Sequence, residues 1–358
     1  MNRTTKYVGL DVHQATTVTT VREDTGRVIA RSVVPTEEAA LLDYFRGMRG
    51  AVHVALEEGT QAQWLYDLLT PVVTSVTVCD RRGASPHGNK ADRGDADELA
   101  DLLRVGRLRA VYHGGARGGA DRQALREFAR TYQALVEDAT RLMNRLKALF
   151  RARGIRTPGR QLYDPAHRAD WLAQLPDPAA RFRAETLLGQ LDVVQAVRPN
   201  AKRAMLAEAQ RDPRWRVLLT IPFLGPVRVA LILAVAQTPW RFRTKRQWWA
   251  YVGLAVVTRT TAEYELHGRR PVRRARPPLT RGLNRNHNRV LKNVFTGAAT
   301  AAAARGTELR AWYEARLAGG LQPDMARLTL ARKLAALTLH VWKTNEAYDP
   351  TQLAVQAR

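Results

Sequence analysis

The chain has 358 residues, 45% of them hydrophobic, so it can bury two or three domain cores and cannot be wholly disordered. Its one cysteine, Cys79, excludes an internal disulfide and a cysteine-rich zinc site, and its longest apolar run, Val229–Ala236, is too short to span a bilayer. Lys plus Arg is 57 against 33 Asp plus Glu, a net charge of +24 that calls for a polyanionic partner, most commonly nucleic acid. No apolar signal stretch precedes the first strand-like run, so a cytoplasmic protein is expected. The charge is unevenly spread. Residues 1–110 hold 14 basic and 15 acidic side chains (net −1), whereas 111–358 hold 43 and 18 (net +25).

Tyr7–Val12, Thr16–Val21 and Val28–Val34 are short β-branched runs separated by polar breaks, the pattern of a three-strand meander. A helix is expected over Thr36–Arg46, with Thr36 as its cap and Glu37 and Glu38 in its first turn. A strand over Val52–Leu56, a helix over Gln63–Leu69, a strand over Val72–Val78 and a helix over Asp92–Arg104 follow. The order βββαβαβα predicts an α/β, ribonuclease-H-like sheet. Four acids fall at telling places in it. Asp11 sits late in the first strand, Glu57 ends the fourth (with Glu58 as an alternative), and Asp92 and Asp95 share one face of the last helix. Carboxylates brought together there repel one another unless a divalent cation such as Mg²⁺ neutralises them, and metals so held serve phosphodiester chemistry.

Beyond residue 120 the pattern is helical. Leu125, Phe128, Tyr132, Leu135, Ala139, Leu142, Leu146 and Leu149 form an unbroken heptad seam, compatible with a coiled coil or with a long core helix. A second helical stretch runs from Ala179 to about Gln210, with an interruption expected at Pro199. The segment Trp215–Arg228 resembles a helix-hairpin-helix, although Phe223 stands where glycine is common. The densest basic run is Arg269, Arg270, Arg273, Arg274 and Arg276, continued by Arg281, Arg285, Arg289 and Lys292, with no acid between Glu265 and Glu308. These are the candidate phosphate-gripping residues. Trp240, Trp248 and Trp249 nearby are candidates either for base stacking or for the core.

Gly9-Leu10-Asp11-Val12-His13, Leu56-Glu57-Glu58-Gly59-Thr60 and Gly88 to Ala96 resemble the N-terminal motifs of one transposase family. Ile221–Gly225, Ala250–Leu254 and Arg281–Asn284 resemble its C-terminal motifs. This is insertion-sequence family 110, including its 1111 subgroup. The resemblance implies a RuvC-like DEDD domain (1–115), a helical coiled-coil region (116–200) and a mainly α-helical C-terminal transposase domain (201–358). It implies an RNA-guided recombinase in which Asp11, Glu57, Asp92 and Asp95 bind Mg²⁺. A structured noncoding bridge or seek RNA pairs with target and donor DNA, and protomers assemble into a dimer or tetramer. The family's nucleophile is a serine, carried by the resemblance onto Thr261, with Thr260 adjacent. The chain's only serines are Ser32, Ser75 and Ser85. A metal-dependent nuclease or junction resolvase, and a nucleic-acid-binding descendant without catalysis, are the other function classes open to such a chain.

Overall fold

The computed structural model describes residues 4–80, 92–113, 120–260, 264–267, 270–273, 275, 279–305 and 307–351. The chain divides into two compact units, Met1–Ala120 and Asp121–Arg358.

In the first unit, strands β1 (Thr5–Val12), β2 (Thr16–Glu23) and β3 (Val28–Pro35) form an antiparallel meander. Helix α1 (Glu38–Arg46), β4 (Ala51–Glu57), α2 (Ala62–Leu69), β5 (Ser75–Cys79) and α3 (Asp92–Arg104) follow. The sheet order is β3-β2-β1-β4-β5, with β4 parallel to both β1 and β5. The element order expected from the sequence is therefore the one that folds, and its mixed five-strand sheet fits a ribonuclease-H-like DEDD domain. Thr36 does not cap α1. Its hydroxyl donates to the His13 carbonyl oxygen at 3.0 Å and meets the Thr17 hydroxyl at 2.9 Å, tying the helix entry to the sheet instead.

Alternation along the strands divides the sheet into two faces. Val8, Leu10, Val54 and Leu56 point to one, where Leu41 and Phe45 of α1 and Leu65 and Leu69 of α2 complete the core. The other face is covered by α3, whose Leu99 packs with Ala55 and Cys79. There α3 comes so near β1 that a Cβ on Gly9 would lie 2.0 Å from the Ala96 carbonyl oxygen and 2.6 Å from the Ala100 nitrogen. Only glycine fits there.

The second unit is built on two long helices, α4 (Ala120–Arg151) and α6 (Pro178–Ala209), with the short α5 (Arg168–Ala173) between them. Asp177 caps α6 by accepting from the Ala180 amide at 2.6 Å, and Pro178 occupies the first turn. The helix runs on through Pro199, contrary to the interruption expected there. Proline removes one intrahelical bond, while burial at both ends of α6 keeps the helix continuous. The heptad seam of α4 is spent inside its own chain toward the C-terminus. Ala139, Leu142, Leu146 and Leu149 pack with Ala184, Leu188 and Leu191 of α6, whereas Phe128 is 39% exposed.

Leu125 and Ala129 belong instead to the larger core of the second unit. That core is formed with α7 (Trp215–Leu219), α8 (Pro226–Ala236), α9 (Lys245–Tyr251), α10 (Arg289–Ala304), α11 (Glu308–Ala318) and α12 (Pro323–Thr344). Helix α12 is apolar almost all round, from Leu330 to Trp342, as a central helix must be. Between α9 and α10 the described residues form strands rather than helix. Strands β6 (Val256–Thr260) and β9 (Leu279–Leu283) pair antiparallel, as do β7 (Tyr264–His267) and β8 (Arg270–Arg273).

Gly9→Ala is expected to destabilise the protein by about 1–3 kcal/mol, because its methyl would overlap helix backbone that has no side chain to rotate away. Gly94→Ala, on α3 with nothing near its added methyl, should be neutral or stabilising. Thermal or denaturant melts of both variants measure the difference in sign.

Candidate functional site

Register brings the first two acids together. Leu10 of β1 pairs with Leu56 of β4 in parallel, so Asp11 and Glu57 are the next residues at two adjacent strand ends. By alternation Asp11 shares the face of Gly9, and Glu57 shares the face of Ala55, and both are the face that α3 covers. Asp95 immediately precedes Ala96, the residue whose carbonyl touches Gly9, and Asp92 stands one turn earlier on α3. The side chain of Asp92 lies outside the described residues. Among the described residues no three His, Cys, Asp or Glu side chains form a group close enough to hold a metal ion. The donor chemistry nevertheless fits a hard divalent cation: carboxylate oxygens, on elements locked together by the Gly9–Ala96 contact.

The neighbouring acids have other tasks. Glu58 Oε2 lies 2.5 Å from Nε2 of the buried His113, whose Nδ1 lies 2.9 Å from Gln63 Oε1. Gln63 in turn donates its amide to both Asp67 oxygens at 3.1 Å. That network engages Glu58, the residue after Glu57, with which β4 ends. Asp97 accepts from Arg22 Nη2 at 2.8 Å and lies 3.6 Å from Arg31, an ion-pair cluster bridging α3 to the meander. Asp11 Oδ2 is 3.2 Å from His13 Nε2.

In the second unit, α7 and α8 form two helices joined by a tight turn, and Phe223 in that turn has φ +64°. The left-handed backbone that glycine adopts freely is thus adopted here by phenylalanine at some cost. Arg228 holds the turn by donating from Nη1 to the Phe223 carbonyl oxygen at 2.7 Å. Burial lowers the Arg228 pKa.

Part of the basic run is strand rather than loop. Arg270 and Arg273 lie exposed on β8, opposite His267 and Tyr264. Arg285 is exposed in the bend before α10, and on α10 Arg289 is exposed and Lys292 half-buried. Arg281 belongs to β9, but its side chain is outside the described residues, as are Arg269, Arg274 and Arg276 altogether. Thr260 ends β6, paired with Leu279; Thr261 lies outside the described residues. Of the tryptophans, Trp248 is core, its Nε1 donating to the Ala335 carbonyl oxygen at 2.8 Å, and Trp240 is exposed beside Lys343.

One cluster escaped the sequence reading. A cavity of about 480 Å³ is lined by Lys245, Arg246, Trp249, Trp312, Arg332 and Lys333, among others. Its signal is the Arg332-Lys333 pair inside the otherwise apolar α12 run.

Two transposase family models match parts of the chain. Residues 8–152 match the DEDD transposase model of the IS110 group, and residues 215–314 match the transposase IS116/IS110/IS902 family. The first span contains Asp11, Glu57, Asp92 and Asp95, and the second contains the helix pair α7–α8, Thr261 and the basic run. A curated relative from Pseudomonas aeruginosa PAO1, "Probable family 20 transposase", is 25% identical over 226 residues, 61% of this chain. The chain spans 65% of that relative, just under two thirds of its length. No described helix is long and apolar enough to cross a membrane.

If β8 grips phosphates, replacing Arg270 and Arg273 together with Ala should shallow the slope of log affinity against log salt by up to ~2 for duplex DNA. Fluorescence anisotropy across a salt series reads that slope directly.

Proposed function

We propose that this chain is a DNA transposase that cuts and rejoins strands of a mobile element, guided by a structured noncoding RNA and working as a homo-oligomer. The observation that carries the reading is the placement of Asp11 and Glu57 at neighbouring strand ends on the face crossed by the Asp92–Asp95 helix. The two transposase domain matches and the strongly basic second part of the chain support it. RNA guidance and assembly rest on the family resemblance.

Asp11, Glu57, Asp92 and Asp95 would hold Mg²⁺, which when bound supplies charge neutralisation and Lewis acidity at a phosphodiester. The Gly9–Ala96 contact fixes the backbone of α3 against β1, the frame on which such a set would be held. Thr261 is the hydroxyl at the position of the family's nucleophile. Its Oγ forms a bond to phosphorus, one P–O bond of the strand breaks, and the leaving oxygen takes up a proton. A hydroxyl of the incoming strand reverses the step and releases the threonine. The added methyl need not block in-line approach, since χ1 can turn it aside.

Asp11→Asn should abolish cutting while leaving RNA binding intact. Thr261→Ala should eliminate the covalent protein–DNA adduct, and Thr261→Ser should keep or raise it. The adduct is trapped on a suicide DNA substrate with the cognate RNA and Mg²⁺, then located by peptide mass spectrometry. Attachment at Thr260, Tyr251 or Tyr264 overturns the role of Thr261. Metal-dependent cutting with no adduct marks a nuclease or resolvase instead.

A further inference from the structure

Of the eight tryptophans, Trp240 is 67% exposed and the rest are 36% or less. Leaving an indole in water forgoes one of the largest apolar burials a side chain offers. The backbone around it is nevertheless held closely. Gln237 closes α8 at φ +62°, a backbone that residues other than glycine adopt at a cost. Thr238 then caps a single 3-10 turn, Pro239–Arg241, its hydroxyl accepting from the Trp240 amide at 3.4 Å. Arg241 donates from Nη1 to the Ala236 carbonyl oxygen at 3.1 Å, tying the turn back to the end of α8. On the other side Lys343 of α12 donates to the carbonyl oxygen of the buried Phe242 at 2.5 Å. A corner fixed from both sides thus presents one indole to solvent.

The surroundings define the chemistry of a partner. Lys343 Nζ lies 5.7 Å from the Trp240 ring centre. Arg243, Lys245 and Arg246 follow within six residues and are all exposed. No acid occurs between Asp212 and Glu263. A negatively charged partner with a flat group fits this surface. A protein or a lipid surface also takes a tryptophan, but each calls for further apolar side chains around it. Every residue from Arg243 to Gln247 is instead polar and exposed. A nucleic-acid strand with an unpaired base supplies both phosphates and a bare ring face. In a duplex each base is already stacked on its neighbours, so that face is not on offer.

We propose that Trp240 is a stacking platform for an unpaired base of a DNA strand whose phosphates run over Arg243, Lys245 and Arg246. The proposal rests on the reading of the chain as a transposase and adds a strand-binding surface to it. DNA is preferred to RNA because both matched family models are of transposases, whose substrate is DNA. Cutting and rejoining a duplex also frees bases from their partners. Because the corner is already fixed, little freedom is lost when a base settles on the indole.

The test uses the full chain and four probes: a short oligo(dT), an abasic strand of the same length, oligo(U), and relaxed circular duplex DNA. The abasic strand keeps the phosphates and removes the rings. With wild type, tryptophan emission should fall on adding oligo(dT). Trp240→Phe should reduce that fall while binding the strand nearly as tightly. Trp240→Ala should weaken oligo(dT) binding by roughly tenfold, and Trp240→Leu equally, since a side chain without a ring cannot stack. Neither should alter affinity for the abasic strand or the duplex, and melting curves should not move, because this side chain lies outside the core. Replacing Arg243, Lys245 and Arg246 together with Ala should weaken the abasic strand as well and shallow the single-strand salt slope by up to ~2.

A Trp240→Leu protein that binds oligo(dT) like wild type makes the contact merely apolar and overturns the platform. An equal loss on the abasic strand does the same. A loss confined to oligo(U) overturns the choice of DNA. Unchanged oligo(dT) binding by Trp240→Ala, in a protein that still cuts and forms its adduct, overturns the platform and leaves the proposed function standing. The full Trp240 effect in a protein that cuts nothing overturns the proposed function and leaves the platform standing.

Discussion

A missing side chain organises the first unit. Gly9 lets the backbone of α3 lie against the backbone of β1, closer than any other residue would allow. Everything at the acidic site follows from that closeness. The strand acids Asp11 and Glu57 come from neighbouring, parallel strands, and the helix acids come from a segment far along the chain. Helix and strands meet at one place because Ala96, beside Asp95, is pressed into the gap at Gly9. Small residues, Ala55 and Ala100 among them, line the same contact and are fully buried. The apolar bulk of Leu and Phe is kept for the opposite face, under α1 and α2.

The second unit solves a different problem, which is how to keep a core intact beneath so many cations. Its answer is a central apolar helix, α12, in one core with α8, α9, α10 and α11, and no described arginine of the unit is fully buried. Arg332 and Lys333 depart from that plan. They sit on α12 itself, Lys333 buried and Arg332 donating from Nε to the Leu254 carbonyl oxygen. Arg228 makes a similar departure at the α7–α8 turn, where its donation to the Phe223 carbonyl oxygen holds a backbone conformation that phenylalanine does not favour. A Cβ at Gly297 would lie 3.2 Å from the Arg228 Nη2, so the helix beside it gives that guanidinium its room.

Much of the first unit was legible because its signals are local. Val, Ile and Thr runs bounded by polar breaks mark strands, and Leu99, Leu102 and Leu103 mark a helix face. The choice between Glu57 and Glu58 was open to periodicity alone, since adjacent residues at a strand end are equally placed for function. The fold adds one contact no local pattern announces: His113, more than fifty residues away, engages Glu58. The strands β6 to β9 were missed for the opposite reason. Their residues are largely exposed and arginine-rich, so no alternating buried face announces them.

From the sequence come the composition of the acid set, the order of the elements around it and the crowding of positive charge into residues 111–358. Each is a property of residue type and spacing along one chain, and each survives any rearrangement in space. The tertiary structure decided the matters that depend on who meets whom. It laid α3 on Gly9, turned the lower heptad seam inward onto α6, carried α6 through Pro199 and closed a cationic, indole-lined cavity around Lys333. Such outcomes hinge on contacts of a few ångströms between segments up to a hundred residues apart, and no local periodicity encodes them.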